Sequence, residues 1–276
     1  MRITILSNAD LASCFALNLL VPALASHELR IFLSSSVGGR NPPVARPPAL
    51  EQLRFYEQTL FNDILFPLLE VSHGVKSTAL RSFAGLGAQI GQPLQTLNGI
   101  NSPEGLATVT ATTPDLILSI RYGGILREAV LGIPPLGVLN LHSGLLPDYK
   151  GVMATFRALL NGESSLGTTL HWIDDSSIDT GRIVGTTQLQ VQPEKSYLWH
   201  VLALYEAGCA LMAETVAKLA SGQPVPATPQ PAGGNYFSFP DAGELEAFER
   251  AGWRLIDSAE IEQLAKRFMG LDKPGK

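Results

Sequence analysis

The sequence predicts an α/β protein: a twisted, mostly parallel sheet with helices on both faces, followed by a small C-terminal α+β module. Three observations carry that prediction. Arg2–Leu6 alternates into a short apolar strand, and Asp10–Leu24 then places Leu11, Cys14, Phe15 and Leu19 at helical spacing, so the chain opens as a βα unit. Asp115–Ile120, DLILSI, is almost continuously apolar after its first residue, as suits a parallel strand covered on both faces. Residues 221–234, SGQPVPATPQPAGG, are dense in Pro and Gly and read as a linker, leaving 1–220 as the main domain and 235–276 as the small module.

Composition narrows the class. At 276 residues the chain exceeds a single average domain, and 45% hydrophobic against 16% charged residues indicates a globular core. No apolar run reaches the roughly 18 residues of a membrane span. The opening apolar stretch is broken and is better explained as strand then helix than as a signal peptide, so cytoplasm is the expected location. The net charge is −5, with Lys and Arg scattered rather than clustered, which argues against nucleic acid. Cys14 and Cys209 each fall within a helical pattern and read as buried thiols, and no His/Cys/Asp spacing suggests a metal.

Taken in order, the opening unit is Rossmann-like. Its turn, Ser7-Asn8-Ala9-Asp10, contains no glycine and therefore lacks the fingerprint that lets a backbone approach a pyrophosphate, which makes NAD improbable. Asn8 reads as a turn or helix cap. Leu29–Ser34 is the second strand. Val37–Pro48 is an irregular loop whose Arg40 and Arg46 either meet an anionic substrate or stay solvated. Leu50–Leu69 predicts a long amphipathic helix with Leu53, Tyr56, Leu60, Leu65 and Leu69 on one stripe, and His73-Gly74 a turn. Ser102-Pro103-Glu104 starts a helix, with an N-cap Ser before Pro. Val138–Leu141 is the central strand, Ala154–Leu160 a helix closed by Asn161-Gly162, and Gly167–Ile173 a strand. Ile183–Val191 is an outer strand, and Tyr197–Leu219 a long helix. Beyond the linker, Asn235–Pro240 reads as an aromatic strand, either a docking surface or ordinary packing, before helices over Ala242–Gly252 and Ser258–Phe268. His27 and His200 read as surface or helix residues.

The chemistry-bearing stretch is 137–184. Asn140 and His142 end an apolar run two residues apart, so both should point to one face of a strand end. Asp179 lies in a second turn after another strand. An acid, an imidazole and an amide converging on one pocket can transfer protons and stabilise an oxyanion, as acyl or formyl transfer requires. His171, alternating with Leu170 and Trp172, is either a hydrogen-bond partner behind the catalytic histidine or a satisfied core histidine.

The ordered series Asn-x-His, Leu-Leu-Pro-x-Tyr-x-Gly, Gly-x-Thr-x-His and Asp-x-Gly resembles the 10-formyltetrahydrofolate-dependent formyltransferase family, which includes glycinamide ribonucleotide, methionyl-tRNA and amino-sugar formyltransferases. Ser143-Gly144 stands where relatives carry Pro-Ser or Gly-Ser. The resemblance implies that Asn140, His142 and Asp179 are catalytic, that Tyr122, Gly124, Ile125, Leu126 and Asp175 border the folate, and that Ser143, Gly144, Leu146, Tyr149 and Lys150 form a substrate loop. On residue chemistry alone, 121–126 is equally well a strand-to-helix turn with core aliphatics. The implied co-substrate is 10-formyltetrahydrofolate, and the implied partner a small-molecule amine. An amino-sugar nucleotide comes first, because Leu-Leu-Asn-Gly-Glu and Gly-Thr-Thr-Leu-His look most like those relatives, and an amino acid or hydroxylamine second. The alternatives are a 10-formyltetrahydrofolate hydrolase and a methionyl-tRNA formyltransferase-like enzyme. Residues 201–276 hold seven Lys/Arg against ten Asp/Glu, a net of −3, where the tRNA enzymes carry their RNA-binding domain, so nucleic acid is not expected. No membrane partner is expected, and a homodimer is left open.

Overall fold

The computed structural model describes residues 1–35, 46–71 and 80–271. The chain begins β1 (Arg2–Asn8), α1 (Leu11–Ala23), β2 (Glu28–Ser34), α2 (Pro48–Arg54), a π-helix (Phe55–Leu65), α3 (Phe66–Val71), α4 (Phe83–Gln89) and β3 (Gln95–Thr96). It continues α5 (Pro103–Ala111), β4 (Leu116–Ile120), α6 (Glu128–Leu131), β5 (Val138–His142), β6 (Tyr149–Gly151), α7 (Ala154–Leu160), β7 (Ser165–Trp172) and β8 (Ile183–Gln190). The last elements are α8 (Tyr197–Ala220), β9 (Asn235–Phe237), α9 (Ala242–Arg250) and α10 (Ser258–Phe268). The expected loop over Val37–Pro48 lies mostly outside the described residues, Arg40 included, as does His73-Gly74.

Seven strands form one sheet in the order β3-β2-β1-β4-β5-β7-β8. The pairs β2–β3, β1–β2, β1–β4 and β4–β5 are parallel, and β5–β7 and β7–β8 antiparallel. The expected mostly parallel α/β sheet is therefore present. Alternation sorts its side chains: Leu116, Leu118 and Ile120 of β4 enter one core with α1 and α8, and Ile117 enters a second core with Val109 of α5 and Val130 of α6. Helices thus cover both faces.

Local capping explains several boundaries. α1 starts at Asp10, whose carboxylate accepts from Ser13 N at 2.8 Å. Asn8, expected as a turn or cap, is instead the last residue of β1, where its amide joins Asp10 and Ser34. Ser102 caps α5 with Pro103 inside it, as expected. The helix expected over Leu50–Leu69 exists but is π-wound through its middle, so the apolar stripe slips and Phe61 becomes its fully buried residue. His200 lies in α8 and is fully buried, one ring nitrogen against Ser196 O and the other accepting from Gln192 N. Cys14 and Cys209 are free, buried thiols, as expected.

The tail packs against the main body. β9 pairs in parallel with β6, and Leu245, Phe248, Ile261, Leu264 and Phe268 enter the same core as α1 and α8. The Phe248 ring stacks on Phe156 with centroids 4.4 Å apart, and Phe268 meets Phe61 and Phe66 at 5.6 and 5.1 Å. Among the described residues no helix is long and apolar enough to cross a membrane.

Because Phe268 is completely buried among rings of the π-helix and α3, Phe268→Ala should destabilise the whole protein by about 3–5 kcal/mol. Urea unfolding followed by both circular dichroism and tryptophan fluorescence should show one shifted transition. A separate early transition, with the main one unmoved, would contradict the shared core.

Candidate active site

The alternation of β5 decides where its polar residues go. Leu139 and Leu141 point into the first core, which leaves Asn140 and His142 together on the opposite face. β7 lies antiparallel beside them in a register that pairs Asn140 with His171. The Asn140 side-chain amide is 3.1 Å from His171 Nε2, and His171 Nδ1 is 2.8 Å from Trp172 O. A carbonyl only accepts, so Nδ1 donates to Trp172 O.

Asp179 reaches the same spot from the loop between β7 and β8. Asp174 staples that loop to Arg182, accepting from its backbone at 2.9 Å and from Nη2 at 2.8 Å. The Asp179 backbone is left-handed, with φ +55, a conformation that Asp tolerates better than most residues. Its Oδ2 lies 3.5 Å from His142 Nδ1 and accepts from Gly151 N at 2.8 Å, and its Oδ1 lies 3.6 Å from His171 Nε2. Burial pushes this carboxyl up, but the facing His142 charge, the His171 contact and the Gly151 N–H outweigh it and hold the group down at about 2. Asp179 is therefore ionised throughout the ordinary pH range.

His142 is bracketed. Its Nε2 donates to Tyr149 O at 2.6 Å, and its Nδ1 faces Asp179, so a ring carrying both protons satisfies both neighbours. Asn140 has a second amide N–H beyond the one directed at His171. The structure thus brings Asn140, His142, His171 and Asp179 together; the hydrogen bonds of His171 run to Asn140 and Trp172 O rather than to His142, the partner expected for it.

The loop expected to meet substrate is largely the brace of His142. Ser143 O accepts from Thr155 Oγ1, Gly144 O accepts from Thr169 Oγ1 at 2.7 Å, and Leu146 N donates to that same hydroxyl. Gly144 is required, since a Cβ there would sit 2.6 Å from the Ala154 Cβ and 2.9 Å from His142 Nε2. The side chains of Leu146 and Tyr149 turn inward, the Tyr149 hydroxyl donating to Glu163 at 2.6 Å, and Lys150 Nζ donates to Gly233 O.

At the end of β4, Tyr122 and Gly124 are half-buried, Leu126 is buried and Ile125 is 52% exposed. The Tyr122 hydroxyl donates to Leu97 O, Gly123 N donates to Ser34, and Ile125 O accepts from Asn101. Asp175 is exposed and accepts from Ser177 N in a local turn. Sequence reasoning missed Arg121, which is left-handed at φ +58 and mostly buried. Its Nε donates to Asp10 Oδ2 at 3.0 Å, and its Nη2 lies 3.5 Å from Glu57 of the π-helix. A lone Arg directly after a buried strand was the available clue.

Residues 91–203 match the family described as Formyl transferase. Similar curated proteins include the methionyl-tRNA formyltransferase of Paramagnetospirillum magneticum, 33% identical over 162 residues, 59% of this chain and 52% of that protein. The enzyme of the same name from Synechococcus sp. (strain JA-3-3Ab) is 38% identical over 124 residues, 45% of this chain and 38% of that one. The chain thus spans about half the length, or less, of these relatives. Among solved structures, a sugar N-formyltransferase from a Shewanella species superposes with a TM-score of 0.55 at 15% identity, over 91% of this chain and 87% of that one. An N-formyltransferase from Helicobacter canadensis, in complex with folinic acid and dTDP-3-aminofucose, gives 0.57 at 14%, over 94% and 82%. At these identities the structural likeness is one of fold. The expected resemblance to the formyltransferase family is borne out.

The Arg121 cluster makes a pH prediction. Burial pushes the Glu57 carboxyl up to about 7 from an ordinary 4.5, against the pull of Arg121 and with a further push from Asp10. The folded state then keeps a proton that the unfolded chain releases, so this stabilisation is full below about pH 4.5 and is lost as pH rises through 7. Thermal unfolding of Glu57→Gln should lack this decline, which is on the order of 2–3 kcal/mol in wild type. Identical pH slopes in the two proteins would refute it.

Proposed function

We propose that this chain transfers a formyl group from 10-formyltetrahydrofolate to the amine of a small-molecule acceptor, with residues 1–220 carrying the chemistry and the reaction placed in the cytoplasm. The observation that carries the reading is Asp179, held as a carboxylate 3.5 and 3.6 Å from two imidazoles on the face of β5 that also presents Asn140. The co-substrate supplies a formyl carbon open to attack by an amine, so no nucleophile of the protein is needed.

The chain's own residues then have three tasks. The spare amide N–H of Asn140 donates to the negative charge that grows on the formyl oxygen, and the imidazolium of His142 adds its field to the same charge. Asp179 orients that imidazole and holds the water through which the proton shed by the attacking nitrogen passes to N10 of the folate, as the bond between the formyl carbon and N10 breaks and tetrahydrofolate leaves. The rigid brace of 143–151 holds these groups in line, and such alignment contributes several kcal/mol on its own. The end of β4 fits a folate ring: Ile125 offers exposed apolar surface, and no hydrogen bond among the described residues engages the backbone of Gly124 or Leu126. We assign Tyr122, Gly124, Ile125, Leu126 and Asp175 to that slot.

For the acceptor we favour an amino-sugar nucleotide, then an amino acid or hydroxylamine. The names of the curated relatives favour a second reading, methionyl-tRNA, against which stands the net charge of −3 over residues 201–276. Hydrolysis, with water as acceptor, would use the same residues.

Release of tetrahydrofolate, followed by absorbance, tests these together across a panel of amino-sugar nucleotides, amino acids, hydroxylamines, methionyl-tRNA and no acceptor. Turnover confined to one small amine supports the proposal. Turnover without acceptor supports hydrolysis, and no folate consumption under any condition refutes all of these readings. In the active assay, Asn140→Ala and Asp179→Asn should each lower kcat by about 10²–10³-fold.

A further inference from the structure

We propose that Gln230 is a positioning residue for Asp179, and that the segment from Thr228 to Phe237, which runs from the Pro- and Gly-rich stretch 221–234 into β9, is one wall of the active site. The inference rests on the reading of Asp179 as the working carboxylate. A left-handed residue other than Gly is strained and persists only where its surroundings hold it. At Asp179 the holding group is the Gln230 amide, whose Nε2 donates to Asp179 O at 3.0 Å and to Gly181 O at 2.7 Å, on either side of the turn. Two carbonyls can face only the NH2 end of an amide, which fixes its orientation. The other end is left without reward, because Gln230 Oε1 is buried with no hydrogen-bond partner. An orphaned buried acceptor is costly, so the side chain is held there for its two donated bonds.

The flanking backbone keeps Gln230 in place. Thr228 exchanges both backbone hydrogen bonds with Ile183, each at 2.8 Å, which extends the start of β8 and delivers Gln230 to the turn. Further along, Lys150 Nζ donates to Gly233 O, and β9 pairs with β6 so that Gly151 faces Phe237. Gly151 is itself left-handed and tolerates no Cβ, which would lie 2.2 Å from Phe237 O. Its N–H is the one that donates to Asp179 Oδ2 at 2.8 Å. The same crossing segment therefore grips Asp179 twice, by its main chain through Gln230 and by its carboxylate through β6. The groups facing that carboxylate are His142, His171 and the Gly151 N–H, and all three distances depend on where the turn sits.

The test uses the full chain labelled with ¹³C at Asp carboxyls, the Asp179 resonance being identified by its loss in Asp179→Asn. In wild type it should not titrate between about pH 3.5 and 7, because its partners hold it charged. In Gln230→Ala, and more so in Gln230→Glu, which turns oxygens toward both carbonyls, the midpoint should rise into that window. Gln230→Lys keeps a donor and should stay closer to wild type. In the folate assay, kcat of Gln230→Ala should fall on the order of 10²-fold while KM for 10-formyltetrahydrofolate changes little, as for a small displacement of a reacting group. An Asp179 resonance that titrates identically in wild type, Gln230→Glu and Gln230→Lys overturns the proposal. The titration needs no turnover, so it decides the role of Gln230 even if formyl transfer fails.

Discussion

One carboxylate, shared between two imidazoles and a backbone N–H, organises this protein around itself. Asp179 is drawn from a loop, His142 from the end of a parallel strand, His171 from the middle of an antiparallel one, and Gly151 from a two-stranded annex. Each could be placed alone by its own element. Their convergence requires the β5–β7 register, the stapled loop and the annex to be correct at once, so a slip of one residue in β7 would send His171 to the wrong face and leave the carboxylate without one of its partners. Burial alone pushes such an acid up, and the contacts with His142, His171 and the Gly151 N–H together outweigh it.

What the sequence made legible follows from periodicity. Asn140 and His142 could be put on one face because a period of two leaves no other choice, and the buried β4 because an unbroken apolar run needs cover on both sides. The direction of β7 was not legible, since alternation reads the same for parallel and antiparallel strands. His171 therefore stayed between two roles, and only the pairing set it beside Asn140. The π-winding of 55–65 was hidden for a similar reason: its apolar residues also fit an ordinary helical stripe over so short a stretch, and only the burial of Phe61 in place of its neighbours betrays the wider turn. The contacts of Gln230 with the Asp179 turn were masked by composition, because Pro and Gly say that a segment builds no core and nothing about the surface it crosses.

Arg121 illustrates a limit of a different kind. Its partners, Asp10 and Glu57, lie far from it in the chain, and no spacing rule links them. The pairing of Ile120 with Leu141 puts Arg121 level with His142 on the neighbouring strand, at the reversal of strand order where open α/β sheets form their crevices. A mostly buried cation with two acidic partners there contributes little net stability, but it ties the end of β4 to Asp10, the cap of α1, and to Glu57 of the π-helix.

The route of the C-terminal segment sets the order in which the molecule can be completed during synthesis. The sheet and its first helices leave the ribosome early, as domains generally begin to fold from the N-terminal side. The rings of Phe61, Phe66 and Phe156 must then wait for Phe268 and Phe248, and the Asp179 turn must wait for Gln230 and Phe237. A nascent chain halted near residue 220 would therefore carry every chemical group of the site yet present an open core and an unsupported carboxylate, a species suited to chaperones rather than to turnover.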